Sequence, residues 1–396
     1  MAMPESGPPL AITIVGPCAP REFAIDLGIA PEAIPVGLVG TPITALVRAL
    51  LDAGHRVNLV TASPDVAETQ RFSSETLQMA VVRYRPRPRD RALDLFRAER
   101  VAMRNEIIAF SGDIVHAHWT YEFAWAALAQ DRAPVLVTAH DAPFTVVRHA
   151  PSVYRLLRLA MALWVRPRIK HLTAVSPYLA GKWRRQLGYR RPVAVIPNIS
   201  PFEPQLAERA PQTRVVEIAD DSSLKNVRGL LAAFSLVRRV VPEATLELIG
   251  VGLGSGGRVA AWARAKNLDS GVDFIGPAAR TAVRESLIRS RLLAHASLEE
   301  SQGMVLLEAM ALGRTVVAGA DSGGVAWTLG DGAAGVLVNV RSPIALAAAI
   351  VEVLTNPTAF EDRIAAARQL IELRYSPRAV VGAYLVEYRR IVEISP

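Results

Sequence analysis

The stretch "LEESQGMVLLEAMALG" at 298–313 carries two carboxylates eight positions apart, Glu300 and Glu308, on either side of Gly303. The apolar run "LLAHAS" ends near Ser297, and "MVLLEAMAL" (304–312) reads as a helix closed by Gly313 at the position that follows a helix end. Ser301, Gln302 and Gly303 then form the turn between strand and helix. The free N–H groups of residues 303–305, with the helix dipole behind them, favour an anion such as a phosphate. Glu300 sits before this turn and Glu308 just over one turn into the helix, so both can border one crevice. A carboxylate beside a phosphate is unfavourable unless it accepts hydrogen bonds from neutral hydroxyls, and a ribose and a hexose both offer them. Spacing alone leaves a plainer reading equally open, with Glu308 a surface helix glutamate and Glu300 a loop charge.

Such a turn belongs at the carboxyl end of a parallel strand, and the rest of the chain has the matching pattern. Short β-branched runs alternate with longer helical ones, the signature of parallel α/β architecture. Strands are expected at 11–17, 56–62, 113–119, 134–140, 171–176 and 192–198, with a helix at 41–55 ending at Gly54. The polar, proline-rich segment 201–213 reads as a linker. The pattern then restarts with "RVVEIA", "TLELIGVG", "VDFIGP", "LLAHAS" and "TVVAGA", and with helices at about 226–241, 256–267, 281–290, 304–312 and 343–355. The expected organisation is a Rossmann-like domain over 1–200, the linker 201–213 and a second Rossmann-like domain over 214–374. The segment 375–396, helical over roughly 376–393, is expected to cross back to the first domain. Two doubly wound domains facing across a cleft suit a two-substrate enzyme, with ligands at the carboxyl ends of the strands.

The totals bound the class. With 396 residues, 51% hydrophobic and 21% charged, the chain is a globular protein of two ordinary domains. No apolar run reaches the roughly 18 residues of a membrane span, and the N-terminus lacks a secretory layout. A lone cysteine, Cys18, fits a reducing compartment, so a cytoplasmic location is expected. The net charge of +8 comes almost entirely from arginine, since only Lys170, Lys182, Lys225 and Lys266 are lysines. Zinc spacings, basic heptads and aromatic–basic interleaving are all missing, which argues against nucleic acid. The basic, partly apolar segments "RYRPRPRDRALDLFRAER" and "RLLRLAMALWVRPRIK" leave peripheral contact with an anionic membrane open, the second reading equally well as a buried helix.

The segment "SLEESQGMVLLEAMALGRTVVAGADSGGVAWTLGDGAAGVLV" resembles the donor-binding region of the family-four (group one) retaining glycosyltransferases. "GLVGTPITALVRALLDAGHRVNLVTAS", "DIVHAHW", "PVLVTAHD", "TAVSPYLA", "VIPN", "KNVRGLLAAFSLVRRVVPEATLELIGVG" and "VDFIG" look like the family's other landmarks in their usual order. The resemblance implies the GT-B fold and a nucleoside diphosphate sugar held mainly by the second domain. By the same resemblance Glu308 binds ribose hydroxyls, Glu300 contacts the sugar, and Ser301, Gln302, Gly303, Met304 and Val305 receive the distal phosphate. Lys225 matches the lysine that neutralises the leaving diphosphate, with Asn226 beside it and Gly252 in a glycine-rich loop bordering the donor. His140, at a strand end, matches the histidine facing the transferred sugar; His118 and Gly37 fall on the acceptor side. One departure stands out. The family's arginine five residues before the lysine is Asp220 here. Arg228 or another arginine replaces it, the donor is bound differently, or activity is weakened.

The "GLGSGG" run places Gly252, Gly254 and Gly257 in a dinucleotide-like spacing, but the next acid, Asp273, begins a strand where ribose recognition needs one at its end. A D-x-D pair is missing, so metal independence is expected, with no cofactor beyond the nucleotide sugar itself. The expected activity is retaining transfer of a sugar to an acceptor hydroxyl, in glycan, glycolipid or metabolite synthesis. A non-catalytic nucleotide-sugar-binding subunit and a sugar-nucleotide epimerase are the alternatives.

Overall fold

A computed structural model describes residues 8–205 and 213–394. The chain divides into two compact units. One comprises the chain up to Ile199 together with the segment from Pro377 onward; the other is Ser200–Ser376.

The first unit holds an eight-stranded sheet, with β1 (Ala11–Val15), β2 (Arg56–Ser63), β3 (Gln70–Ser73), β4 (Leu77–Arg83), β5 (Ile114–His118), β6 (Val135–Ala139), β7 (His171–Ala174) and β8 (Val193–Val195). Their spatial order is β3-β4-β2-β1-β5-β6-β7-β8, and only β3 runs antiparallel. Helices cover both faces, so the central strands are mainly apolar, as in "AITIV" and "VLVTA". The helix Pro377–Glu393 belongs to this unit: Val380, Val381, Tyr384, Tyr388 and Ile391 are buried in one cluster with Ile12, Leu46 and Leu59. It packs on the helix Thr41–Asp52.

The second unit has β9 (Arg214–Ile218), β10 (Thr245–Ile249), β11 (Val272–Gly276), β12 (Leu292–His295), β13 (Thr315–Gly319) and β14 (Val336–Val338), all parallel in the order β11-β10-β9-β12-β13-β14. Each sheet therefore reverses its strand order once, between β1 and β5 in the first and between β9 and β12 in the second. Loops leaving the carboxyl ends there diverge and leave room for a ligand.

Element bounds follow the sequence expectation to within a few residues. The unanticipated strands are β3, β4 and β14. β3 is a polar edge strand, and β14 spans only "VLV". β5 stops at His118 because Trp119 takes a left-handed conformation (φ 65°). Of the expected linker 201–213, residues 206–212 lie outside the described residues. Phe202 packs on the second unit, and Gln205 N–H donates to the Ala311 carbonyl at 2.8 Å.

Candidate active site

The switch point of the second sheet sets two loops side by side. Past β9 the chain turns through Asp220, whose Oδ1 accepts the Ser222 N–H at 2.8 Å, into the short turn Ser223–Lys225. Asn226 is left-handed (φ 52°), and its Nδ2 donates to the Val340 carbonyl at 3.0 Å, so its side chain anchors the start of the helix Val227–Val240. Past β12 the chain runs on to Glu300, where the 322–324 turn clasps it. Glu300 N–H donates to the Ser322 carbonyl at 3.2 Å, and Gly324 N–H donates to the Glu300 carbonyl at 2.8 Å. The two loops are joined by an ion pair, Lys225 Nζ donating to Glu300 Oε1.

Behind that pair lies a second one. His295 is 1% exposed, with Nε2 3.0 Å from Glu300 Oε1 and Nδ1 3.0 Å from Oε1 of the fully buried Glu217. Glu217 Oε2 accepts the Ala296 N–H at 3.2 Å. Burial opposes charge on Lys225, His295 and Glu300, and their partners outweigh it. Despite burial, Lys225 and His295 push the Glu300 carboxyl down to about 2. Against burial, Glu217 and Glu300 lift His295 to about 9, and Glu300, Glu217 and Asp220 raise Lys225. At neutral pH Lys225 and His295 are thus both charged against the Glu300 carboxylate.

The helix Met304–Ala311 begins four residues after Glu300, behind Gly303 at φ 84°. Only glycine suits this position: the conformation is left-handed, and a Cβ would lie 2.9 Å from Leu306 Cδ1. Among the described residues no acceptor faces the N–H groups of Gly303, Met304 and Val305; Leu306 is the first to bond back, to the Gly303 carbonyl. Glu308 is half-buried, and burial raises its carboxyl to about 7, Arg280 offsetting part of the effect. Ser301 is half-buried, but Gln302 is turned inward, so its main chain is what a ligand at this turn meets. Gly252 serves the loop's own packing, because a Cβ there would fall 2.4 Å from Asp221 Cγ. Among the described residues no group of three His, Cys, Asp or Glu side chains is arranged to hold a metal ion.

In the first unit, His140 follows β6 and is half-buried, its Nε2 2.9 Å from His118 Nδ1. His118, expected on the acceptor side, is 2% exposed and packs against the His140 ring. Gly16, just past β1, makes room for that ring, since a Cβ there would sit 3.0 Å from His118 Cβ. His116 is fully interior, bonded through Nδ1 to Tyr388 Oη (2.7 Å) and through Nε2 to Thr138 Oγ1 (2.6 Å). Burial lowers His140 to about 4 and holds His116 and His118 well below the ordinary value, so all three rings are neutral at neutral pH. Below them Asp141 accepts from Tyr121 Oη at 2.8 Å, and Arg158 lies over the Tyr121 ring and 3.6 Å from Glu122. Gly37 (φ 80°) packs against Pro20 and Cys18.

Residues 201–370 match the family described as Glycosyl transferases group 1, and residues 39–199 match Glycosyltransferase Family 4. The chain belongs to the group 1 glycosyltransferases. It is 24% identical over 375 residues to the N-acetyl-alpha-D-glucosaminyl L-malate synthase of Bacillus anthracis, covering 89% of this chain and 93% of that one. It is 29% identical over 281 residues to the glycogen synthase of Mycobacterium tuberculosis, 68% and 67% of the two chains. Among solved structures, the sucrose-phosphate synthase of Thermosynechococcus elongatus superposes with a TM-score of 0.77 at 20% identity, over 98% of this chain and 100% of that one. The HepE protein of Anabaena, solved with UDP and glucose, gives 0.67 at 17% identity, over 96% and 99%. The fold of this glycosyltransferase is GT-B.

At the position where the resemblance implies an arginine, the Asp220 carboxylate caps its own turn. Arg228, one candidate to replace it, is drawn to the Trp262 ring, 5.3 Å from its centroid, while Arg258 pairs with Asp221 at 2.8 Å. Sequence reasoning missed Glu217 and His295. The available signal was a charged or titratable residue at the carboxyl-terminal part of each of two short, mainly apolar strands, "RVVEI" and "LLAH".

Proposed function

We propose that this glycosyltransferase moves a sugar from a nucleoside diphosphate to an acceptor hydroxyl with retention of configuration and without a metal ion. The observation that carries this reading is the grouping at one switch point of an ammonium, Lys225, a carboxylate, Glu300, and the unengaged first-turn N–H groups at 303–305. Breaking the bond between the anomeric carbon and the phosphate oxygen leaves growing negative charge on the diphosphate. A fixed ammonium and helix N–H groups stabilise that charge with no reorganisation at the moment of reaction. The acceptor oxygen bonds to the anomeric carbon on the face the diphosphate leaves, and its proton passes to a leaving phosphate oxygen. Glu300 accepts from sugar hydroxyls and Glu308 from ribose hydroxyls. His140, neutral, contributes its ring or carbonyl to the sugar.

The test is incubation with UDP-, GDP- and dTDP-sugars in the presence of a chelator, with product anomers read by proton NMR. Slow donor hydrolysis or transfer with retained configuration supports the reading. Inverted product, or turnover that returns only with a divalent ion, overturns the corresponding part. Asp220 favours one rival, a subunit that binds the donor without turnover, which calorimetry would reveal as binding on the same panel with no product.

The Glu308 carboxyl gives donor binding a pH dependence of definite sign. Ribose hydroxyls donate to the ionised form, and the free carboxyl holds its proton below about 7. Donor KM is therefore expected to rise about tenfold per unit as pH falls below that value and to level off above it. Glu308→Gln should bind the donor more weakly at pH 8 and show a flat profile. A wild-type KM constant from pH 5 to 8 would remove Glu308 from the ribose.

A further inference from the structure

We propose that His295 is a doubly protonated positioning residue: its imidazolium holds Glu300 from behind, so that this carboxylate stays anchored and compensated when Lys225 turns to a donor diphosphate. The inference rests on the donor reading above for its purpose, and on hydrogen-bond counting for its charge state. Both ring nitrogens face carboxylate oxygens at 3.0 Å. Glu300 Oε1 already accepts from the Lys225 ammonium, and Glu217 Oε2 accepts a main-chain N–H, so both carboxylates act as acceptors. A neutral imidazole has one N–H to give and would leave one nitrogen lone pair against a carboxylate lone pair in the interior. With both carboxylates ionised two donors are needed, and we take the ring to carry two protons; the competing arrangement, Glu217 protonated on Oε1 and donating to a neutral ring, is the single-proton tautomer that the test below would reveal.

The arrangement explains how one carboxylate tolerates a change of partner. With Lys225 alone, turning the ammonium toward phosphate would strand a buried anion, the situation that makes broken buried pairs unfavourable. With His295 in place, Glu300 keeps a charged donor on its inner side throughout. Glu217, on the neighbouring strand β9, has the complementary task of keeping the ring charged. The charged groups that act on the ring are Glu217 and Glu300, with Lys225 one contact further out on Glu300 and Asp220 acting on Lys225. Because the proton is held more tightly in the fold than in the unfolded chain, its stabilising effect is full below about 6.5 and is lost as pH rises through about 9. Lys225 is raised from an already higher value, so an alkaline transition near 9 belongs to the ring and not to the ammonium.

Nitrogen-15 NMR of the free protein labelled at histidine tests the charge state. Both ring nitrogens of His295 should show protonated shifts at pH 7.5 and titrate together near 9, and Glu217→Gln should move that transition down by at least one pH unit. A single-proton tautomer at pH 7.5 overturns the proposal. For the role, His295→Gln, uncharged and still able to donate one bond, should lower kcat at least tenfold and abolish the fall in kcat that the wild type shows above pH 9. A variant that keeps that alkaline limb shows another group to be its source and equally overturns the assignment. The spectra are read without substrate, so a chain that transfers no sugar would refute the proposed activity while the charge state of His295 is judged independently.

Discussion

Lys225→Ala is expected to lower kcat at saturating donor by about 100- to 1000-fold, the loss typical when one preorganised charge stabiliser is removed. The effect should fall on turnover more than on donor KM, because the charge that Lys225 meets grows as the sugar–phosphate bond breaks. In the free protein the ammonium is committed to Glu300, whose remaining partner after the substitution is His295. The fold should therefore survive, with an unchanged circular dichroism spectrum. Lys225→Arg is not expected to rescue, since a planar guanidinium cannot stand in for a compact ammonium on a site already shaped around it. Full rate for Lys225→Ala at saturating donor would remove this residue from the chemistry.

Glu122→Ala is expected to destabilise the first unit by about 3–5 kcal/mol, the usual consequence of leaving a buried charge without its partner. Glu122 is fully buried; it accepts from Tyr84 Oη at 2.9 Å and stands 3.6 Å from the Arg158 guanidinium. Burial works against charge on Arg158, but Glu122, Tyr121 and Asp141 hold it protonated, so the substitution cannot be relieved by loss of a proton. Asp141 remains to compensate in part, which favours the lower end of the range. For a unit of this size that corresponds to a fall in Tm of roughly 6–20 °C. Pairing the change with Arg158→Met should recover more than half of the loss in a double-mutant cycle. A single variant melting within a degree or two of the wild type would show that the guanidinium finds water or another carboxylate at once.

How much of this was legible beforehand depends on whether a feature is local. Strands such as "AITIV" and "TVVAG" are buried on both faces and announce themselves as mainly apolar runs. β3 is an edge strand with one exposed side, and "QRFS" carries no periodic signal strong enough to separate it from a loop. The Lys225–Glu300 pair joins residues 75 positions apart, and the roles expected of both came from ordered family landmarks, not from spacing. The Glu217–His295 pair, 78 positions apart, has no landmark, and depends on β9 and β12 lying side by side after the strand order reverses. The burial of His118 was illegible for a related reason. Alternation places it on one face of β5, but the neighbour that covers that face, His140, comes from the next strand.

The helix Pro377–Glu393 completes a hydrophobic interior whose other walls were made from the first 199 residues. Tyr388, on that helix, closes the hydrogen-bonded row that begins at His116. Synthesis and completion therefore run in opposite orders. On the ribosome the middle body emerges whole before the opening one has received its last wall, and the earlier-made half waits, partly uncovered, for residues translated nearly two hundred codons later.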